Sequence, residues 1–160
     1  MANNDTTEFT IASSLKYGYD NKYTQWCKDV VSMLEIVMPL ARKLLDVPPH
    51  LKIHLKPNRR ANAYYHHINR TVVIDPRRCN TTSTVMGALL HELVHAEQFK
   101  QGRLELGVRT MKWMGKPVVQ ETRNYARYRA QPWEVEAFGR EKELCDKIAD
   151  MLKEKLDASR

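Results

Sequence analysis

The segment ALLHELVHA, Ala88 to Ala96, places two histidines and one glutamate among residues that are otherwise apolar. Asn80 to Ser83 offer several N-cap candidates and Gly102 a stop signal, so the spacing predicts a helix over about residues 84–99. A helix that is apolar nearly all round belongs inside a core, with other elements covering it. An unpaired carboxylate carried into such a core would be costly, so the three polar side chains call for a common partner. His91 and His95 are one turn apart on the same face, with β-carbons about 5 to 6 Å apart, a spacing that lets both imidazoles reach one tetrahedral zinc. Glu92 is turned about 100° from His91, so its carboxylate can reach a water on the metal without ligating the metal itself. That is the position of a general base.

Two histidines do not complete a catalytic zinc site, which usually has three protein ligands and one open position. No histidine follows His95, so a third-histidine arrangement is excluded and a carboxylate is expected, as in His2Glu sites. The candidates are Glu134 and Glu136 in QPWEVEAF. Gln131, Pro132 and Glu134 read as the cap, first-position proline and third-position acid of a closing helix that runs to about Leu156. Glu134 therefore has a structural role open to it. Glu136 has none, which favours Glu136 as the ligand. The two point about 160° apart and cannot both face one ion.

Around this centre the chain reads as α+β. Residues 1–20 are polar and are expected to form a flexible N-terminal tail, with residues 21–160 forming one domain. Trp26, Val30, Leu34, Val37, Ala41 and Leu44 recur at helical spacing between Tyr23 and Leu45, with a kink expected at Pro39 and an end at Val47 to Pro49. Leu51 to Leu55 and Thr71 to Ile74 read as strands, and Ala61 to Asn69 as a further strand leading into a hairpin at Asn69 and Arg70. The expectation is a small antiparallel or mixed sheet packed on the central helix, flanked by N-terminal and C-terminal helices. Residues 103–130 lack a clean period and carry Arg103, Arg109, Lys112, Lys116, Arg123, Arg127 and Arg129, so a long basic loop with a short strand around Trp113 is expected.

HELVHAEQ followed some forty residues later by EVEA resembles the gluzincin pattern of thermolysin-like peptidases and their minimal relatives encoded by bacteria and phages. Gln98, three residues past His95, resembles an HExxHxxQ variant of small zinc peptidases. The resemblance covers roughly residues 61–141. It implies a zincin-like fold, a bound Zn2+, and a third ligand directly before an alanine, which again selects Glu136. It also implies that Ala61 to His67 is similar to the edge strand that pairs with an extended substrate. The chain departs from the pattern in having Arg140 where an acidic partner of a histidine is usual, and in lacking the usual downstream histidine donor to the oxyanion. Tyr128 or Tyr125 could supply that donor.

The activity expected is metalloendopeptidase hydrolysis of peptide bonds, with Glu92 as general base and Tyr128 assisting. The formal charge of +7 and a pI of about 9.4 suit an acidic protein or nucleic acid as a partner. The competing reading is an idle zincin module that binds such a partner through the basic loop. The three cysteines are widely spaced and form no CxxC pair. The first twenty residues lack a basic segment followed by an apolar one, so a cytoplasmic protein without membrane contact is expected.

Overall fold

The computed structural model describes residues 9–14 and 21–160. Seven strands and four helices follow one another among them: β1 Thr10–Ser13, α1 Asn21–Leu44, β2 Lys52–Leu55, β3 Ala63–His66, β4 Thr71–Ile74, α2 Thr82–Lys100, β5 Leu104–Leu106, β6 Met111–Trp113, β7 Lys116–Val118, α3 Tyr125–Arg129 and α4 Pro132–Ala158. The class is α+β. A four-stranded mixed sheet has the order β1-β2-β4-β3, with β1 and β4 parallel to β2 and β3 antiparallel to β4. No helix among the described residues is long and apolar enough to cross a membrane.

The apolar segment sets the architecture. Val85, Leu89, Leu90, Leu93, Val94 and Ala96 of α2 are fully buried, and each large aliphatic side chain hidden in this way contributes about 1.5 to 3 kcal/mol. They join Leu34, Met38 and Ala41 of α1, Ile53 and Leu55 of β2, Val72 and Ile74 of β4, and Ala137, Leu144 and Ile148 of α4 in one cluster. Thr81 caps α2 in a reciprocal capping box with Thr84. At the other end Gly102, at φ +67, takes the left-handed conformation. Arg103 N–H then bonds Gln98 C=O at 3.0 Å and Gly102 N–H bonds Phe99 C=O at 3.1 Å, a Schellman ending that turns the chain sharply into β5.

Two expectations need correction. Thr10–Ser13 are not part of a tail but an edge strand in register with Lys52–Leu55, and Phe9 and Ile11 pack against the core. Their two-residue alternation is short and surrounded by polar residues, which hides it. Residues 1–8 and 15–20, the rest of that expected tail, lie outside the described residues. Residues 103–130 are not one loop either. They form the antiparallel sheet β5-β6-β7 and the short helix α3, with Leu104 and Met111 buried against Trp133. Strands of three residues are too short for a period to show. Pro39 lies inside α1 without ending it.

β4 closes on Asp75, a fully buried carboxylate. It accepts hydrogen bonds from Asn58 N–H at 2.8 Å, Arg77 N–H at 3.0 Å, and Arg77 Nε and Nη2 at 3.0 and 2.9 Å. Burial would raise its pKa, but the Arg77 guanidinium and the two amides outweigh burial and hold it below the usual range. A carboxyl depressed by folding stabilises the fold above its unfolded value near 3.9, and that contribution is lost as pH falls through the folded value. Asp75→Asn should therefore cost about 1.5 to 3 kcal/mol at neutral pH. In urea melts, the gap to wild type should narrow below about pH 4.

Candidate metal centre

α2 and the first turns of α4 build the site together. His91 and His95 project from one face of α2, their rings nearly perpendicular with centroids 4.8 Å apart. Their Nε2 atoms stand 3.2 Å from each other. The carboxylate that meets them is Glu134: its Oε2 is 3.1 Å from His91 Nε2 and its Oε1 is 3.3 Å from His95 Nε2. These three buried residues form a group that could hold a metal ion.

The structure places Glu136 elsewhere, against the expectation. Its carboxylate accepts from Arg103 Nη1 and from Arg140 Nη1, the latter at 3.1 Å. Both arginines also pair with Glu97, whose other oxygen accepts Asp46 N–H at 2.8 Å. This four-charge cluster ties the end of α2 and the start of β5 to α4. Glu134 occupies the third position of α4, yet Gln131 makes no side-chain capping bond and the Glu134 carboxylate turns to the histidines rather than to the helix terminus.

Electrostatics follow from the geometry. Burial alone would raise the Glu134 pKa, but hydrogen bonds from His91 and His95, with the charge of His95, outweigh it and hold it at about 2. Burial would likewise depress His95, but its bond to Glu134 and the charges of Glu92 and Glu134 raise it to about 9. A cation bound by these ligands would take the place of that proton. Glu92 is buried beside them, its pKa raised by burial against the opposing pull of both histidines and of the nearby Tyr65 backbone N–H on β3.

Further residues orient these groups. His95 Nδ1 lies 2.8 Å from Gln98 Oε1, and Gln98 Nε2 donates to Trp133 C=O at 3.0 Å. The fully buried Gln98 amide thereby fixes His95 with Nε2 toward Glu134 and links it to the residue just before Glu134. On the other histidine, His91 Nδ1 is buried and makes no hydrogen bond among the described residues. Glu141 Oε2 stands 3.6 Å from it, and the Phe138 ring lies 4.4 Å from the His91 ring. Gln98 is the glutamine of the HExxHxxQ resemblance; sequence reasoning assigned no role to Phe138 or Glu141, whose only signal was helical spacing, four and seven residues past Glu134.

Gly87 makes room for Glu141: a β-carbon there would sit 2.8 Å from Glu141 Oε1. Gly87→Ala should push that flexible carboxylate away from His91 while raising stability by about 0.5 to 1 kcal/mol through helix propensity. A thermal melt and a structure of the variant would check both.

Tyr128 on α3 places its hydroxyl near the Glu134 carboxylate, and its pKa is raised by burial and then by the Glu134 charge. Tyr125 is exposed and stacks on Tyr128 with ring centroids 6.4 Å apart. Arg129 lies over Phe138 at 4.1 Å. The cleft has two arms. One, of about 360 Å³, is lined by Asn62, Ser83, Thr84, Phe138 and Glu141 on the His91 side. The other, of about 210 Å³, is lined by Tyr65, His67, Phe99, Leu106, Met111 and Trp133 on the His95 side. His67 stacks on Phe99 at 4.6 Å, while His66 is exposed. Comparison with known proteins finds no matching family model, curated protein or solved structure.

Proposed function

We propose that the chain is a zinc-dependent hydrolase, a metalloendopeptidase of the gluzincin kind, with His91, His95 and Glu134 as ligands and Glu92 as general base. The observation that carries this reading is the donor triangle, with separations of 3.1, 3.2 and 3.3 Å. Two tetrahedral donors held about 2.0 to 2.1 Å from one zinc lie about 3.3 to 3.4 Å apart, so the residues fit the ion with little movement. Calcium and magnesium prefer all-oxygen ligand sets, whereas two imidazoles and a carboxylate suit zinc.

Bound there, zinc would supply Lewis acidity and a water acidic enough to be deprotonated near neutral pH. Glu92, buried beside the ligands, would act as the base for that water and return the proton to the leaving amine. Tyr128 keeps its proton and sits beside Glu134, which suits it to donate to the developing oxyanion. Asp75 N–H bonds Asn62 C=O at 2.9 Å, and Tyr64 pairs with Val73, so the peptide groups of Ala63 and Tyr65 face the free edge of β3. An extended peptide added to that edge would lie across the site, held by backbone bonds that do not read most side chains. This zincin-like arrangement is the finer reading of the α+β fold.

Elemental analysis of protein purified without chelator should find about one zinc per chain. His91→Ala and His95→Ala should each bring it near zero and abolish cleavage of a peptide library. Full occupancy in both variants, or no cleavage by zinc-loaded wild type, would overturn the proposal.

A further inference from the structure

The four-stranded sheet carries its own chemistry on the face turned away from α2. From Val47 to Ile74 the chain contains Lys52, Lys56, Arg59, Arg60 and Arg70 and no aspartate or glutamate. Strand alternation sends Ile53 and Leu55 inward to the core and Lys52, His54 and Lys56 outward. The strand register then builds two rows across the outer face. One runs Thr10, Lys52, Thr71, His66, and the other Ala12, His54, Val73, Tyr64. These residues, with Lys56 and Asn69, line a concavity of about 450 Å³ with no acidic side chain among the described residues that line it. Lys52, His66, Thr10 and Ala12 are exposed, while Thr71 and Val73 of the central strand are buried.

Its composition is specific. His54 and Tyr64 sit on strands two apart, about 9 to 10 Å between strand axes, with the buried Val73 as the floor between them. Side chains stand roughly perpendicular to a sheet, so the two rings rise on either side of Val73, which is 2% exposed, and His54 Nε2 lies 2.9 Å from Ser14 Oγ. Lys52 and Lys56 flank His54 along β2 and set cations at the rim. A ligand that uses both features must be anionic along its backbone and carry unstacked aromatic rings. A duplex keeps its bases stacked inside, and an acidic peptide would use the lysines but gain little from the rings.

We propose that this outer sheet face binds single-stranded nucleic acid, with a base stacked against the aromatic ring of Tyr64 or His54 and the neighbouring phosphates on Lys52 and Lys56. The surface is separate from the proposed metal site, which lies on the helical side of the sheet, and does not rest on that reading. It also differs from the basic segment 103–130, where Arg103 is already paired with Glu136 and Glu97 and Arg129 is stacked on Phe138.

Fluorescence anisotropy of the full chain would test it with three probes: an oligo(dT) of about 12 nucleotides, an abasic strand of the same length and charge, and a duplex. Oligo(dT) should bind most tightly, with affinity falling steeply as salt rises. Lys52→Glu, at an exposed position, should weaken oligo(dT) binding at least about tenfold. Tyr64→Ala should weaken it about 5- to 100-fold, as loss of one stacked base does, and leave the abasic strand unaffected. His91→Ala should change neither. Duplex binding as tight as oligo(dT), an unaltered affinity in Lys52→Glu, or an equal response of both single strands to Tyr64→Ala would each overturn the proposal. Tyr64→Leu, which keeps the apolar packing but removes the ring, replaces Tyr64→Ala if that variant does not fold.

Discussion

Glu134→Gln will lose the metal and Glu136→Gln will keep it. Glu134 is the carboxylate within 3.1 and 3.3 Å of the two imidazole Nε2 atoms. Its amide counterpart has no charge to offset a divalent cation and is a weak oxygen donor to zinc. Removing a residue that only orients a ligand costs about 10- to 100-fold in metal affinity, so loss of the ligand itself should exceed that, and hydrolysis should fall to background. Glu136→Gln instead weakens a partly exposed ion-pair cluster with Arg103 and Arg140, which should cost about 1 kcal/mol or less and leave zinc in place. Equilibrium zinc titration against a fluorescent chelator, paired with a urea melt, separates the two outcomes. Zinc retained in the Glu134 variant and lost in the Glu136 variant would require α4 to bind in a different rotation from the one described.

The second large effect is expected at Glu92. Glu92→Gln keeps shape and volume and leaves His91, His95 and Glu134 unchanged, so the ion should stay bound at full occupancy. Without a base to take the water's proton, turnover on a peptide substrate should drop about 10²- to 10⁴-fold. Metal content and rate measured on one preparation make the test sharp. A variant that hydrolyses at the wild-type rate would remove Glu92 from the chemistry, and one that loses zinc as well would make it a ligand.

Much of this was legible where the information is local. His91, Glu92 and His95 lie within five consecutive residues, and the buried path of their helix follows from Leu89, Leu90, Leu93 and Val94 around them. The choice between Glu134 and Glu136 depends on how α4 is rotated against α2, which no single segment encodes. Arg103 reaches Glu136 only because Gly102 turns the chain there. One local clue did exist: Arg140 is four residues after Glu136, the spacing of a helical ion pair, and that marks Glu136 as already engaged. Assigning Glu134 to helix capping failed because the buried pair of imidazoles draws its carboxylate away from the helix terminus. The short strand expected around Trp113 is β6, but β1, β5 and β7 escaped notice because they are three or four residues long and find their partners far away in sequence or across short polar turns.

The ligands come from α2 and α4, and the whole of β5 to α3 lies between them in the chain. A cation holding His91, His95 and Glu134 would act as a covalent cross-link does, closing that excursion into a ring with pinned ends. The entropy of closing a flexible ring grows only as the logarithm of its length, about 0.6 kcal/mol for each doubling. The Gly107 to Arg109 tip between β5 and β6, where Val108 is wholly exposed, can therefore lengthen or change with little effect on the pinned ends. Leu106 and Met111 beside it line one arm of the cleft. The fold thus separates two kinds of residue by their tolerance of change: the ligands are held by two packed helices, while one wall of the cleft can be rewritten without moving them.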